Sequence, residues 1–238
     1  MRKDVRERIE MIKRGEVPEG YKKTKLGIIP DDWKICKIHQ IADISSGSTP
    51  SRVNEEYWNG DIPWITTSEI NNGYIVDSNE YVSDVACQDT NLRRYSPGSI
   101  LMAMYGQGQT RGRVAVLNIE ATVNQACAAI SVKNVNNRFL FYQLMHMYEG
   151  IRKLSNVGSQ KNLNIDIVKN IKIAVPSCRS QRRIVEILQI YDEKLLKQEK
   201  LIKGKSEQKK WLMQNLLTEK GHQLSSDIKW RKIKLKKV

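Results

Sequence analysis

The segment from about Arg179 to Leu217 constrains the fold of this chain more than any other. Ten positions in it are spaced alternately four and three residues apart, which is the a/d spacing of a coiled coil, and seven of these ten positions are apolar. A helix of this span is about 58 Å long and cannot bury its apolar stripe against a small domain alone. The alternative is a helix that lies along its own domain. We predict dimerisation through the apolar positions, which are Ile184, Leu188, Tyr191, Leu195, Ile202, Leu212 and Leu216.

The residues before this helix, 26–177, carry short β-rich runs bounded by Gly, Pro, Asn or Ser. A helical period covers Arg138 to Leu154. The sequence therefore predicts an α+β protein, in which one mixed α/β domain is followed by a long coiled-coil-forming α-helix. The clearest strand candidates lie at 62–65, 99–105, 113–117 and 171–175.

Residues 1–25 precede this domain. Apolar residues recur at helical spacing from Arg2 to Arg14, and Gly15 ends the pattern, which predicts a short amphipathic helix. The stretch from Gly20 to Trp33 shows little periodicity and predicts a linker into the domain.

The end of the chain echoes the start of the domain. The sequence WRKIKL, from Trp230, repeats the pattern of WKICKI, from Trp33. We interpret residues 225–238 as the truncated start of a second copy of the domain, which follows a dimerisation helix at 178–224.

The composition is typical of a globular protein, since 40% of the 238 residues are apolar and 28% are charged. No uncharged apolar stretch approaches the about 20 residues that span a bilayer, and the N-terminus is charged where a signal peptide is apolar. We therefore expect a cytoplasmic protein with no membrane partner. The four cysteines stand 40 or more residues apart, which predicts buried free thiols rather than a disulfide framework or a zinc site.

The net charge of +14 favours a polyanionic partner, and its distribution sharpens that inference. Residues 179–238 carry seventeen Lys/Arg against seven Asp/Glu. Within the central domain, 26–92 holds three basic and eleven acidic residues, whereas 93–178 holds eleven basic and three acidic residues. This surplus on the flanks and on one half of the domain favours nucleic-acid binding. The alternative is a basic helix face that is simply solvated.

The chain shows no motif of an enzyme that modifies or cuts DNA. It lacks the Asn/Asp-Pro-Pro-aromatic sequence of amino methylation, a Walker loop, and a nuclease-like Pro-Asp followed at a plausible distance by Asp/Glu-x-Lys. Gly106, Gly108 and Gly112 follow a strand candidate, but the third glycine is misplaced for dinucleotide binding. We therefore expect a non-catalytic chain with no metal and no cofactor of its own.

Three loops, at 45–52, 105–113 and 155–162, combine flexible backbone with amides, hydroxyls, guanidinium groups and an aromatic ring. Gln can pair bidentately with adenine and Arg with guanine, and either can contact phosphate. Each loop alone is also compatible with a polar surface turn. Together with two nearby threonines, the candidate DNA-binding residues are Ser48, Thr49, Arg52, Thr66, Thr67, Tyr105, Gln107, Gln109, Thr110, Arg111, Arg113, Ser159, Gln160, Lys161 and Asn162.

A series of short motifs follows in order along residues 26 to about 217. They are LGIIPDDW from Leu26, ISSGSTP from Ile44, YWNGDIPWITT from Tyr57, PGSIL from Pro97, NQA from Asn124, QKNL from Gln160, and VP at Val175 leading to Gln181. In this order they resemble the specificity (S) subunits of type I restriction-modification systems. Ser180 departs from the family pattern, which usually has Glu before the glutamine.

The resemblance implies an architecture in which two target recognition domains alternate with two long helices, and this chain would hold one of each. It also implies double-stranded DNA, methyltransferase subunits and restriction subunits as partners, with S-adenosylmethionine and ATP bound by those subunits. We predict a half subunit that acts as a homodimer, reads a bipartite palindromic target and positions its partners. The alternatives are a stand-alone DNA-binding regulator or decoy, and an inactive recombination fragment.

Overall fold

The computed structural model describes residues 3–106, 108–154 and 162–217. Over this part of the chain it contains twelve β-strands and six α-helices, and the chain divides into two compact units, residues 1–185 and 186–238. The first unit has the mixed α/β fold that the sequence predicts.

The helices are α1 (Lys3–Lys13), α2 (Asp84–Asp89), α3 (Asn137–His146), α4 (Tyr148–Lys153), α5 (Ile165–Asn170) and α6 (Cys178–Leu216). The strands are β1 (Tyr21–Thr24), β2 (Gly27–Pro30), β3 (Lys34–Lys37), β4 (Ala42–Ser46), β5 (Ile62–Ile65), β6 (Tyr74–Ile75), β7 (Tyr81–Val82), β8 (Ile100–Ala103), β9 (Val114–Leu117), β10 (Thr122–Val123), β11 (Cys127–Val132) and β12 (Lys172–Val175).

A five-stranded sheet lies in the middle of the first unit, with strand order β4-β11-β8-β9-β6. Neighbouring strands of this sheet pair antiparallel, except for β6 and β9, which pair parallel. Every residue of β8 and of β9 is buried, because their sequences, ILMA and VAVL, are apolar on both faces. The strands predicted at 99–105 and 113–117 are thus confirmed, with slightly shorter bounds.

The two faces of this sheet bury separate apolar clusters, since successive residues of a strand point to opposite faces. Ile100 and Met102 of β8 pack in one cluster with Leu140 and Leu144 of α3. Leu101 and Ala103 belong to the other cluster, which includes residues of a second sheet. The central sheet is therefore covered on both faces.

The second sheet has three strands in the order β10-β5-β7. Strand β5 pairs parallel to β10 and antiparallel to β7. The strand predicted at 62–65 is confirmed as β5. Ile65 at its end and Val123 at the end of β10 both enter the cluster on the far face of the central sheet.

Residues 20–33 fold into a hairpin, so the prediction of a linker was wrong. Strands β1 and β2 pair antiparallel across a turn in which Thr24 Oγ1 accepts a hydrogen bond from the Leu26 amide at 3.1 Å. Gly27 has φ of 102°, which glycine tolerates better than other residues. Each strand has only four residues, too few to show a clear alternation of apolar and polar positions.

The segment from Arg138 to Leu154 forms two helices rather than the one that its periodicity predicts. Helices α3 and α4 meet at Met147, which has ψ of 3° and donates its N–H to the carbonyls of Gln143 and Met145. A break of one residue leaves the apolar spacing intact, so the sequence pattern does not reveal it. Ile151 of α4 is still fully buried in the core.

The long helix is confirmed as α6, which spans 39 residues. At the predicted seam positions Ile184 is partly buried, and the other six side chains are 36% to 65% exposed. The neighbouring side chains of Ile187, Ile190 and Leu201 are exposed as well. Among the residues that the structure describes, no helix is both long enough and apolar enough to traverse a bilayer.

All four cysteines are free, as the sequence predicts, but their burial differs. Cys127 is buried in β11, and that burial raises the pKa of its thiol. Cys36 and Cys87 are partly buried, and Cys178 is exposed at the first residue of α6, so the expectation of four buried thiols was wrong. Cys178 lies at the start of α6 between the exposed residues Ser177 and Arg179.

Gln181 joins the start of α6 to the domain from a buried position. Its side chain is 2% exposed. Oε1 accepts a hydrogen bond from the N–H of Asn136 at 2.8 Å, and Nε2 donates to the carbonyl of Pro176 at 2.9 Å. Because Asn136 is the N-cap of α3, one amide group ties the beginnings of two helices together.

We expect Gln181→Ala to lower the free energy of unfolding by about 2–4 kcal/mol, because a partly buried N–H and a buried carbonyl each lose a partner. Urea denaturation of the full chain measures this change. Arg182→Ala serves as a control, since Arg182 is the exposed neighbour on the same helix, and should change the stability by less than about 0.5 kcal/mol. Equal stability of the two variants would contradict the role given to Gln181.

Candidate nucleic-acid interface

Three polar loops start or end against one short segment, residues 123–126. The Val123 carbonyl accepts from Ser48 N at 3.0 Å, and Asn124 N donates to the Ile65 carbonyl at 3.0 Å. The Ala126 carbonyl accepts from the N–H of Met104 at 2.8 Å. We call residues 123–126 the hub. Main-chain hydrogen bonds to the hub thus position the loops that begin near residues 48, 66 and 105.

The residue directly after the predicted loop 155–162 is bonded to Met104, the residue that itself bonds to the hub. The carbonyl of Met104 accepts a hydrogen bond from the N–H of Leu163 at 3.0 Å. Leu163 directly follows the candidate residue Asn162, which is partly buried. The structure therefore brings the end of the third predicted loop next to the start of the second.

The loop that contains Ser48 and Thr49 passes very close to the hub. A Cβ atom added at Gly47 would lie 1.7 Å from the carbonyl oxygen of Val123, so only glycine fits there. Thr49 donates its hydroxyl to Oε1 of Gln125, and both side chains are exposed. The Ser48 carbonyl accepts from Trp64 Nε1 at 3.0 Å. Ser48 and Thr49 therefore lie beside Gln125 on one polar surface.

The loop 105–113 is held by two side chains of α4. The Arg152 guanidinium donates to the carbonyl of Gly108 at 2.7 Å, to that of Arg111 at 3.4 Å, and to the hydroxyl of Tyr148 at 2.7 Å. Tyr148 in turn donates that hydroxyl to the carbonyl of Gln109. Three loop carbonyls thus have partners on α4. We call Tyr148 and Arg152 the α4 clamp.

Gly112 lets the loop lie directly on α4. Its φ is 85°, and a Cβ there would lie 3.2 Å from Arg152 Cγ and 3.6 Å from Ile151 Cγ2. A larger residue would strain the backbone and separate the loop from the clamp. The three glycines of this loop, which do not fit a dinucleotide site, instead let the chain turn sharply against a helix.

Several predicted side chains remain at the surface of the clamped loop. Tyr105 is 42% exposed, and Gln109 is exposed. Thr110, Arg111 and Arg113 are partly buried. An exposed aromatic ring can stack on a base, and amides and guanidinium groups can bind base edges or phosphates.

Gln109 and Arg113 are paired with each other. Oε1 of Gln109 accepts a hydrogen bond from Nη2 of Arg113 at 2.9 Å. The backbone of Arg113 is fixed at the start of β9, where its N–H donates to the Thr110 carbonyl and its carbonyl accepts from Ala103 N. Within the described residues, no carboxylate forms an ion pair with Arg113 or Arg152.

The remaining predicted residues near the hub are engaged within the protein. The Arg52 guanidinium stacks 3.5 Å from the centre of the Trp58 ring and forms an ion pair with Glu80 at 2.6 Å. Thr66 bonds through its amide and its hydroxyl to Glu69, at 2.8 Å and 2.9 Å. Thr67 is partly buried. Arg52 and Thr66 therefore shape this surface, and using them for DNA would require these contacts to be shared or broken.

Gln107, Ser159, Gln160 and Lys161 lie outside the residues that the structure describes. The repeated segment at Trp230 also lies outside them.

Sequence reasoning missed Tyr148, Arg152 and Gln125. Tyr148 and Arg152 stand four residues apart, so both lie on one face of a helix, and this spacing was a usable signal. Gln125 lies in the motif NQA, a polar pair between two apolar strands, but it was not named as a site residue. Among the described residues, no three His, Cys, Asp or Glu side chains are grouped so that they could hold a metal ion.

Known proteins are similar to this chain in sequence. A family model described as the type I restriction modification DNA specificity domain matches residues 30–203. The specificity subunit of the type I restriction enzyme MjaIX from Methanocaldococcus jannaschii is 32% identical over 179 residues, which cover 73% of this chain and 41% of that protein. The chain spans about half the length of the curated relatives that it matches.

Solved structures share the fold. A chain of a type I R-M system matches with a TM-score of 0.64 at 18% identity, over 90% of this chain and 53% of the other. The HsdS subunit of Thermoanaerobacter tengcongensis matches with a TM-score of 0.57 at 17% identity, over 82% of this chain and 47% of that subunit.

The matched region contains the hub, the α4 clamp and most of α6, so the similarity covers the elements that build the candidate interface. The chain belongs to the family of type I restriction-modification specificity subunits.

Proposed function

We propose that this chain is the DNA-recognition subunit of a type I restriction-modification complex. The observation that carries the proposal is the convergence of polar, aromatic and basic loops on the hub, in a chain of the specificity family. Main-chain bonds hold the loops, while side chains such as Tyr105 and Gln109 stay exposed. A surface of this kind binds a ligand without transforming it. Methyl transfer and cleavage would then belong to methyltransferase and restriction subunits, which bind S-adenosylmethionine and ATP.

The basic half of the domain supports DNA as the ligand. Arg111 and Arg113 belong to the 105–113 loop, and Arg152 is bonded to it. All three lie in the range 93–178, which has eleven basic and three acidic residues. Positive groups placed along a duplex release counterions from phosphates, so affinity should fall steeply as salt rises. Base contacts by the loop side chains would add sequence preference to this general attraction.

We further propose that two copies associate through α6. Six apolar side chains at the seam positions are exposed, and burying each contributes about 1.5–3 kcal/mol before the entropy losses of association. A two-fold axis would present the same recognition surface twice. The target would then be bipartite and palindromic, with half-sites about one helical turn apart if both copies approach one face of the duplex. The dimer would position the partner subunits on that target.

The dimer is tested by the double substitution Leu188→Glu and Leu195→Glu. Charges in the seam should give monomers in light scattering, because buried unpaired carboxylates are strongly unfavourable. Methylation in the presence of the methyltransferase subunit should be lost at the same time.

The matched control is Lys197→Gln with Lys200→Gln. It makes the same change in net charge at two exposed residues on the side of the helix away from the seam, and it should leave the dimer and methylation intact. A wild-type monomer that supports methylation would contradict the homodimer.

The α4 clamp is tested by Arg152→Ala. Without the guanidinium, the carbonyls of Gly108 and Arg111 lose their partner, and amide hydrogens of residues 105–113 should exchange about thirtyfold faster. Preference for the target duplex over unrelated duplexes should fall with it. Hydrogen-exchange mass spectrometry and competition binding measure the two effects.

Lys153→Ala is the control, because Lys153 is the exposed neighbour with the same charge. It should weaken binding to all duplexes slightly and leave exchange in the loop unchanged. If both variants behave alike, the clamp does not position the loop for recognition.

A further inference from the structure

We propose that Gln109 and Arg113 act as one recognition unit that presents hydrogen-bond donors and therefore selects guanine over adenine. The inference rests on the proposed function, because it specifies which base the 105–113 loop reads. It assigns a specificity-determining role to a pair of side chains rather than to either one alone.

The orientation of the Gln109 amide follows from chemistry. A guanidinium group has donors and no acceptor, so only the amide oxygen of Gln109 can face Arg113. The observed contact, Oε1 to Nη2 at 2.9 Å, has this arrangement. The reverse arrangement would place N–H groups against N–H groups. The amide nitrogen of Gln109 and the other guanidinium N–H groups are then the groups that the pair can offer to a ligand.

This arrangement conflicts with adenine. Glutamine reads adenine through one donor and one acceptor of the same amide, which contact N7 and the N6 amino group. In Gln109 the acceptor already faces Arg113. Because an amide oxygen has two lone pairs, reading adenine would require this oxygen to accept from N6 in a direction compatible with Arg113, or to give up its bond to a charged group, which costs more than an ordinary one.

Guanine fits the same groups without any rearrangement. Its major-groove edge offers two acceptors, N7 and O6, and a guanidinium group donates to both in a plane. The bond that Arg113 donates to Gln109 restricts the plane in which the Arg113 guanidinium can lie. A fixed plane matches the flat edge of one base, whereas a tetrahedral phosphate can accept the same fork in several planes, so the pairing favours base reading over phosphate binding.

Hydrogen bonds fix the backbone of both Gln109 and Arg113 in the absence of DNA. The Gln109 carbonyl accepts from the Tyr148 hydroxyl, and Arg113 is bonded at 3.0 Å to Thr110 and at 2.9 Å to Ala103. The side chains of Gln109 and Arg113 therefore extend from backbone positions that are held by hydrogen bonds to other residues of the domain. Less conformational freedom remains to be lost on binding, which increases both affinity and discrimination.

The test selects preferred duplexes from a randomised library with the full chain, its Arg113→Lys variant and its Gln109→Met variant. Lysine keeps the charge but not the planar fork, and methionine keeps the length of the side chain but not the acceptor. Both variants should relax one position of the target, and that position should be guanine in the wild-type profile. Arg6→Lys, an exposed residue of α1, should leave the profile unchanged.

Replacing that guanine by 7-deazaguanine removes the N7 acceptor. It should weaken wild-type binding about tenfold and change binding of the Arg113→Lys variant far less. Because Gln109 is exposed, the Gln109→Met variant keeps the core intact and tests the pair even where a change at Arg113 disturbs folding.

Two results would overturn this inference and leave the proposed function intact. One is relaxation at an adenine position, and the other is an equal loss of binding to all duplexes in the Arg113→Lys variant. A wild-type chain without any sequence preference would overturn the proposed function and this inference with it. Relaxation of one guanine position by both variants supports the pair.

Discussion

The main-chain hydrogen bonds of the hub are the contacts on which the candidate interface depends. Residues 123–126 connect β10, in the three-stranded sheet, to β11, in the five-stranded sheet, and so cross from one layer to the other. Three loops that are far apart in sequence are bonded to this crossing by backbone atoms. Backbone bonds make no demand on the side chains of those loops, apart from Gly47, where a Cβ would clash. The framework is therefore compatible with loop side chains that vary with the target.

The loop at 105–113 depends on a second support, because it extends beyond the hub. Its carbonyls are bonded to Tyr148 and Arg152, and Gly112 allows the close approach. The same helix precedes the third predicted loop, so α4 links two segments that the sequence assigns to DNA. A support made from side chains of a neighbouring helix fixes the loop while leaving Tyr105 and Gln109 exposed. The loop backbone is thus ordered by its carbonyl bonds to α4, while its side chains stay accessible to a ligand.

The sequence predicted best where the residue types of a whole element agree. The runs ILMA in β8 and VAVL in β9 are apolar without interruption, and the spacing along α6 extends over 39 residues; all three elements are confirmed. Local turns were predicted less well. A hairpin formed where a linker was predicted, since Thr24 and Gly27 make a turn that periodicity does not register. The break at Met147 was missed for the same reason, and with it the direction of Arg152. For the candidate interface, residue types could be named from sequence, but the pairing of Gln109 with Arg113 depends on tertiary contacts.

The symmetry of the methylated target tests the central claim most directly. The full chain should be expressed together with the methyltransferase subunit of a type I system, and methylated bases should be mapped across a genome by single-molecule sequencing. Two identical recognition domains related by a two-fold axis must read the same half-site twice. The account therefore predicts one motif that is an inverted repeat around a spacer of fixed length. A motif with two unlike halves would contradict it.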